Sequence, residues 1–302
     1  MSRGIQFDET QFHPQKVMAV RHNWMDHPLL QLDNLIALAE RLAAQGAIRS
    51  HSAAADFHTS FVDAPKTHPP KLTPLETIRR IEEAQAWMAL HNVQNDPLYR
   101  TLVDEILDEV MPRTEKKDPG MHGRAGWIFI TSPNAVTPYH MDHENNFILQ
   151  CLGTKKVYVW EPLDREVVTE RSLELFHTKH SRELVVFRDD FLQRAHAYDF
   201  EPGMGAYMPS TAPHLVKNGP GVSITISLTY YTRAIRQTKL LYKGNYKLRE
   251  LGLTPHPIGE DGLRARLRDG AKLAAALAQQ ALKAKGPPKL TEPRYATLGP
   301  IG

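Results

Sequence analysis

Thr137-Pro138-Tyr139-His140-Met141-Asp142, followed by Asn146 and by Leu152-Gly153-Thr154-Lys155, is the stretch on which the reading of this chain turns. It sets an imidazole and a carboxylate two positions apart, and successive side chains on a strand alternate faces. His140 and Asp142 therefore point the same way, with Met141 opposite. Two ligands at one strand end, joined by a histidine from elsewhere, make the two-His-one-carboxylate set that holds non-haem Fe(II) and leaves coordination positions open. The spacing alone is a weak signal. With 15 histidines and 34 acidic residues in 302, about one or two such pairs arise by chance at ordinary composition.

What surrounds the pair strengthens it. From Gly126 onward the sequence breaks into short apolar runs bounded by Gly, Pro and Asn: 127–131, 147–152, 156–160, 184–187, 206–208 and 222–231. Their β-branched and aromatic content predicts strands. Many short strands with punctuating turns predict a double-stranded sandwich, jelly roll or small barrel, a class that includes the cupins. Such a fold brings distant strands together, so the third ligand is sought on a later strand. His214, in Pro209-Ser210-Thr211-Ala212-Pro213-His214, is the best candidate because it opens the strand region that follows a Gly-rich turn. The histidines at 22, 27, 51, 58, 68 and 91 read as surface or hydrogen-bonded residues of helices and loops. His143, next to the pair, would face away from His140 and Asp142 on a continuing strand.

Lys155 follows a Gly-containing turn and shares a strand face with Val157 and Val159, whereas Lys156 shares one with Tyr158 and Trp160. A lysine directed among valines needs an anionic partner or carries a high desolvation cost. A dicarboxylate bound to the metal at one end would supply that anion at the other, and the Thr137 hydroxyl is placed to bond the same carboxylate. The other reading of Lys155 is a turn lysine with its ammonium in solvent.

Flanking regions differ in character. Residues 1–120 read as a mainly helical N-terminal region. Leu32, Leu35, Ile36, Ala39 and Leu42 lie on one helical face. Thr73-Pro74-Leu75-Glu76 is a capping box with proline at the first helical position. Asp96-Pro97 starts another helix, which Met111-Pro112 is expected to stop. Residues 46–72 read as an irregular, exposed connection. Residues 121–235 form the predicted catalytic core. Residues 236–302 form a basic helical region in which Leu263, Leu267, Leu273 and Leu277 suggest an amphipathic helix, followed by a Pro-rich tail. These last residues hold 13 Lys/Arg and 5 Asp/Glu in a chain of net charge +3. A basic tail attracts anionic surfaces, but no nucleic-acid motif accompanies it, so a solvated helical face is expected and nucleic acid is not.

Hydrophobic content of 41% and charged content of 24% are those of a globular protein. The sequence has no apolar run long enough to span a membrane and no apolar signal-peptide core at its start. Cys151 is the single cysteine, which excludes an internal disulfide and predicts a reducing, cytoplasmic setting.

The residues quoted above resemble the JmjC/cupin-like group of Fe(II)- and 2-oxoglutarate-dependent oxygenases, asparaginyl hydroxylases in particular. The pattern runs from Thr137 through His140, Asp142, Asn146, Phe147 and Gln150 to Lys155 and Pro162, with the lysine 15 positions after the first histidine. Ile224-Thr225-Ile226-Ser227 matches the strand that follows the distal histidine. The resemblance implies an α+β protein with a double-stranded β-helix (jelly-roll) core and helical additions at both ends. It implies Fe(II) held by His140, Asp142 and His214, and 2-oxoglutarate held by Lys155 and Thr137. It also places Asn146 and Thr229 on the cosubstrate pocket, Thr229 standing where the asparaginyl hydroxylases carry asparagine. The expected activity is O2-dependent hydroxylation of a protein or peptide side chain or of a small molecule. The alternative is a cupin-like binding or regulatory protein without turnover. Homodimerisation through the C-terminal helix is suggested both by its leucine stripe and by the resemblance.

Overall fold

The computed structural model describes residues 3–259, 263–283 and 294–295. In chain order the strands are β1 (Ile5–Gln6), β2 (Met18–His22), β3 (Ile48–Ser52), β4 (Ala86–Leu90), β5 (His122–Thr131), β6 (Val136–His140), β7 (Asn145–Leu152), β8 (Lys155–Val159), β9 (His196–Phe200), β10 (Met204–Met208), β11 (His214–Asn218) and β12 (Ser223–Tyr231). The helices are α1 (Leu32–Ala43), α2 (Ala64–Thr67), α3 (Pro74–Arg79), α4 (Pro97–Thr114), α5 (Glu170–Lys179), α6 (Arg233–Glu250) and α7 (Leu263–Lys283). An eight-stranded sheet, ordered β1-β2-β10-β7-β12-β5-β4-β3, faces a four-stranded sheet ordered β6-β11-β8-β9. All the strand pairs are antiparallel. This is the expected α+β jelly roll with helical additions.

Period-two alternation decides what each face does. On β12, Ile224, Ile226, Leu228 and Tyr230 point outward into a core shared with Leu35, Leu38 and Leu42 of α1 and with Leu102, Ile106 and Val110 of α4. Thr225, Ser227 and Thr229 are buried on the opposite, inward face. β7 repeats the division: Phe147, Leu149 and Cys151 join the outer core, leaving Asn146, Ile148 and Gln150 inside. The outer face of the smaller sheet is sealed by Leu173 and Phe176 of α5 and Tyr242 of α6 against Tyr139, Trp160 and Leu215. Between the sheets, Ile148, Val157, Val159, Phe200, Ala206, Met208 and Val216 fill one end of the sandwich. The other end is lined by polar side chains.

The first 120 residues carry the expected helices, α1, α3 and α4, and add strands that were not expected. They contribute β1 and β2 at one edge of the larger sheet and β3 and β4 at the other. Added strands protect edges that would otherwise present unpaired backbone groups. They were illegible for physical reasons. β4 is buried on both faces, so its apolar run lacks the alternation that marks a half-buried strand. β3, Ile-Arg-Ser-His-Ser, carries almost no apolar pattern. The expected exposed connection at 46–72 therefore contains β3 and α2, and it buries His51.

The capping box at Thr73 is present, with Glu76 reaching back to the Thr73 backbone. α4 starts on the Asp96 cap as expected but runs through Pro112 to Thr114. The missing N–H falls in the last turn, where Glu115 N–H bonds Met111 O and the Thr114 hydroxyl bonds Val110 O and Met111 O. Residues 184–187, expected as a strand, have no ladder partner. They anchor Phe187 against Phe57, Tyr139 and Trp160. β9, not anticipated, pairs with β8 in their place. The C-terminal helix is present as α7, while the Pro-rich tail lies outside the described residues apart from 294–295. No described helix is long and apolar enough to cross a membrane.

Ile106, fully buried beneath the larger sheet, tests this packing. Burial of such a side chain contributes about 1.5–3 kcal/mol, and Ile106→Ala, which also leaves a cavity, is expected to cost about 2–5 kcal/mol in urea unfolding. A loss below about 0.5 kcal/mol, typical of surface positions, would show that α4 does not pack there.

Candidate active site

The register of two short strands assembles the centre. β11 pairs with β6 so that His214 stands directly opposite His140, and the two imidazoles approach to 4.1 Å between ring centroids. β6 ends at His140, so Asp142 is not on a continuing strand as expected. It lies in the following turn, held where Thr211 N–H bonds the Asp142 carbonyl at 2.8 Å. Its carboxylate still faces both rings: Asp142 Oδ2 is 3.8 Å from His140 Nε2 and 3.8 Å from His214 Nε2. Among the described residues this is the one group of three such side chains spaced to hold a metal ion.

Backbone carbonyls orient both rings. His140 Nδ1 lies 2.8 Å from Pro138 O, and His214 Nδ1 lies 3.1 Å from Ala212 O. A carbonyl can only accept, so each Nδ1 carries the proton and each Nε2 presents its lone pair toward Asp142. Phe61 lies flat on the His140 ring, 3.8 Å between centroids and 2° between planes. Burial, reinforced by His214, pushes the His140 imidazole down to about 3, so it is neutral and ready to bind a cation. Burial works against ionisation of Asp142. The charges around it, those of Arg182 and Arg49 among them, outweigh it and hold the carboxyl below its ordinary range.

These residues line a cavity of about 800 Å³ that opens between the sheets. Lys155 lies in it, sharing the inward face with Val157 and Val159, while Lys156 points out to pair with Asp199 at 3.2 Å. The turn before Lys155 requires glycine: Gly153 has φ +71°, and a Cβ there would meet Val222 O at 2.2 Å. Lys155 Nζ donates to Thr225 Oγ1 at 2.5 Å, and Thr225 donates on to Gln150 Oε1 at 2.8 Å. The Gln150 amide in turn bonds Leu152 O, Gly153 O and Ser223 Oγ, tying the turn in place. Lys155 has no ion pair among the described residues, and burial pushes its ammonium down to about 7.

The remaining expected residues also come to this cavity. Thr137 Oγ1 accepts the Trp87 indole N–H at 2.8 Å, which leaves the hydroxyl proton available to a ligand. Asn146 and Thr229 face each other across β7 and β12. Asn146 Oδ1 accepts from Ser227 at 2.6 Å, and the Thr229 hydroxyl reaches only Ala125 O, at 3.5 Å. His143 stacks on Phe176 and its ring nitrogens have no hydrogen-bond partner. His51, buried against Trp87, is hydrogen-bonded as expected, its Nδ1 2.9 Å from Ser52 O, whereas His91 is buried against Trp127 with neither ring nitrogen bonded among the described residues. Arg49, Phe61, Trp87 and Arg182 line the cavity without any signal in the sequence, since each comes from a separate, weakly patterned segment. The Thr225-Ser227-Thr229 alternation was visible as a polar inward face on an apolar strand.

The unpaired ammonium has a measurable signature. In the unfolded chain Lys155 keeps its proton up to its ordinary 10.5, and in the folded chain only to about 7. Between those values the unfolded state binds more protons, so stability rises with pH. A carboxylate bound beside Lys155 restores the charge, so it is expected to bind with proton uptake above about pH 7 and more weakly as the pH rises further. Calorimetry of 2-oxoglutarate binding in buffers of different ionisation enthalpy checks this. Affinity independent of pH, with no proton uptake, would contradict it.

No protein-family model matches the chain, and no curated protein sequence does either. Solved structures do match. The X-ray structure of Escherichia coli YcfD is 14% identical with a TM-score of 0.50, over 94% of this chain and 70% of that one. A structure of the same protein, described as a ribosomal oxygenase in complex with cobalt and 2-oxoglutarate, is 16% identical with a TM-score of 0.48, over 92% and 68%. At these identities the likeness is one of fold. Function has to be argued from the site.

Proposed function

We propose that this chain is an Fe(II)- and 2-oxoglutarate-dependent oxygenase. The observation that carries the reading is the joint presence, in one cavity, of the His140–Asp142–His214 set and a buried, unpaired Lys155. The donor set fits the metal. Two neutral imidazoles with fixed tautomers and one carboxylate leave positions open for a chelating 2-oxo acid and for O2, a set suited to Fe(II). Lys155 fits the cosubstrate because a buried ammonium without an anion is costly, and a distal carboxylate removes that cost. Thr137 donates its free hydroxyl proton to the same carboxylate, with Asn146 and Thr229 on the flanking wall.

Bound Fe(II) would supply O2 activation coupled to decarboxylation of 2-oxoglutarate, one oxygen atom entering succinate and the other a substrate C–H bond. The chain's own part is positional. His140, Asp142 and His214 fix the metal, Lys155 and Thr137 fix the far end of the cosubstrate, and Phe61 shields the His140 ring from water. No side chain here has to carry a proton through the reaction.

The test is anaerobic reconstitution with Fe(II) and 2-oxoglutarate, read by the visible charge-transfer band of the chelate and, after admission of oxygen, by succinate formation. Wild type shows both. His140→Ala and Asp142→Ala lose the band through lost metal. Lys155→Ala retains metal but needs at least about tenfold more 2-oxoglutarate, the loss expected for a charge-assisted hydrogen bond worth about 1.5–3 kcal/mol. A band of wild-type strength in Lys155→Ala at limiting 2-oxoglutarate would remove the cosubstrate assignment.

The buried, unpaired state of Cys151 supports a reducing, cytoplasmic setting for this activity. Leu267 and Leu277, exposed on α7, support pairing of two chains through that helix. Light scattering is expected to give the dimer mass, and Leu267→Glu with Leu277→Glu to give the monomer. A wild-type monomer throughout the micromolar range would exclude this pairing.

A further inference from the structure

The cavity is basic beyond the lysine assigned to the cosubstrate. Lys155, Arg49, Arg182, Arg236 and Lys239 line it, against the carboxylates of Asp142 and Glu144. Asp142 belongs to the candidate metal set. Glu144 accepts the Tyr231 hydroxyl at 2.6 Å, and burial together with Asp142 raises its pKa. Neither carboxylate forms an ion pair with a Lys or Arg side chain among the described residues.

Two of the cations, Arg49 and Arg182, come from separate parts of the chain to the neighbourhood of the His140–Asp142 segment. Arg49 sits on β3, at the edge of the larger sheet, and Arg182 in the segment after α5. Each is pinned by contacts that leave its charge unneutralised. The Arg49 guanidinium donates to Phe61 O and Val62 O, and lies over the Phe61 ring at 4.5 Å. Its Nε is buried with no hydrogen-bond partner among the described residues. Arg182 Nε donates to Met141 O at 3.4 Å, and its guanidinium lies over Phe176 at 5.1 Å. Burial and the charge of Arg182 push Arg49 down to about 10. Neither guanidinium has a carboxylate within ion-pair distance among the described residues, Asp63 and Asp142 acting on Arg49 only from farther away, and like charges so held favour an anion that joins them. Planar guanidinium forks suit carboxylate and phosphate oxygens.

This pair is not a second half of the cosubstrate clamp. Lys155 bonds Thr225 on β12, whereas Arg182 bonds Met141 O, next to Asp142, and Arg49 lies over Phe61, the ring stacked on His140. Trp127 and Phe129 of β5, with Phe61, supply an apolar wall to the same cavity.

We propose that the substrate is anionic, with a carboxylate or phosphate gripped by Arg49 and Arg182 and its carbon skeleton on the Phe61–Trp127–Phe129 wall, so that a nearby C–H bond faces His140, Asp142 and His214. A lysine or arginine side chain is repelled from this position. The proposal rests on the oxygenase reading above.

The experiment uses the full chain loaded anaerobically with Fe(II) and saturating 2-oxoglutarate. The visible band is recorded first: its absence overturns the oxygenase reading and with it this proposal. With the band present, calorimetric titrations compare benzoate, phenyl phosphate, benzyl alcohol and benzylamine. The expected result is binding of benzoate or phenyl phosphate at least about tenfold tighter than benzyl alcohol, with benzylamine weakest. The better of the two anions identifies the group the arginines take. Arg49→Gln and Arg182→Gln are each expected to weaken the anion by about tenfold and benzyl alcohol by less than about twofold, with Arg182→Lys intermediate. Benzylamine or benzyl alcohol binding as tightly as the anions would overturn the proposal while the oxygenase reading stands. So would anion affinity indifferent to both Gln variants, or no binding of any probe up to about 10 mM.

Discussion

Everything at the centre depends on one cross-strand pairing, His214 opposite His140 at the adjoining ends of β11 and β6. Side chains on a strand alternate, so a slip of one residue would send His214 to the outer face and bring Pro213 or Leu215 inward. Leu215 is buried against Trp160 and Tyr139 in the outer cluster, and that burial opposes the slip. The hydrophobic pattern of the smaller sheet thus sets the position of the imidazole. The carbonyls of Pro138 and Ala212 set its tautomer, and the turn after β6 brings Asp142 back to complete the set.

The second constraint is a polar interior. A jelly roll is ordinarily stabilised by apolar side chains between its sheets, and one end of this one is. At the other end β7 and β12 turn Asn146, Gln150, Thr225, Ser227 and Thr229 inward, and β8 adds Lys155. Those groups are buried; Lys155, Thr225 and Gln150 bond in one chain, and Ser227 bonds Asn146 beside it. What the chain lacks is a negative charge. The stability that this end of the sandwich forgoes is compensated by the outer cores under α1, α4 and α5, which carry the fold while the interior stays ready for an anion.

Much of this was legible in the sequence because the chemistry of the core strands is local. The inward placement of Lys155 follows from its sharing a face with Val157 and Val159, and the convergence of His140, Asp142 and His214 follows from strand pairing in a barrel. The illegible part is what arrives from far away in the chain. Arg49 lies on a strand with almost no apolar pattern, Trp87 on one buried on both faces, and Phe61 and Arg182 in irregular segments. Periodicity carries no information about any of the four, yet all four line the cavity. Pro112 misled for a related reason: its missing donor matters only where the turn has no other partner.

In the proposed oxygenase the core and the added segments divide the work: the core strands hold the groups for metal and cosubstrate, and the segments at the sheet edge and after α5 hold the groups proposed to meet the substrate. The central claim concerns the core, and its most direct measurement is the anomalous diffraction of crystals grown with Mn(II) and 2-oxoglutarate. The account predicts one metal peak between His140 Nε2, His214 Nε2 and the Asp142 carboxylate, with the far carboxylate of 2-oxoglutarate on Lys155 Nζ. A metal bound elsewhere, or a cosubstrate that leaves Lys155 unpaired, would contradict it.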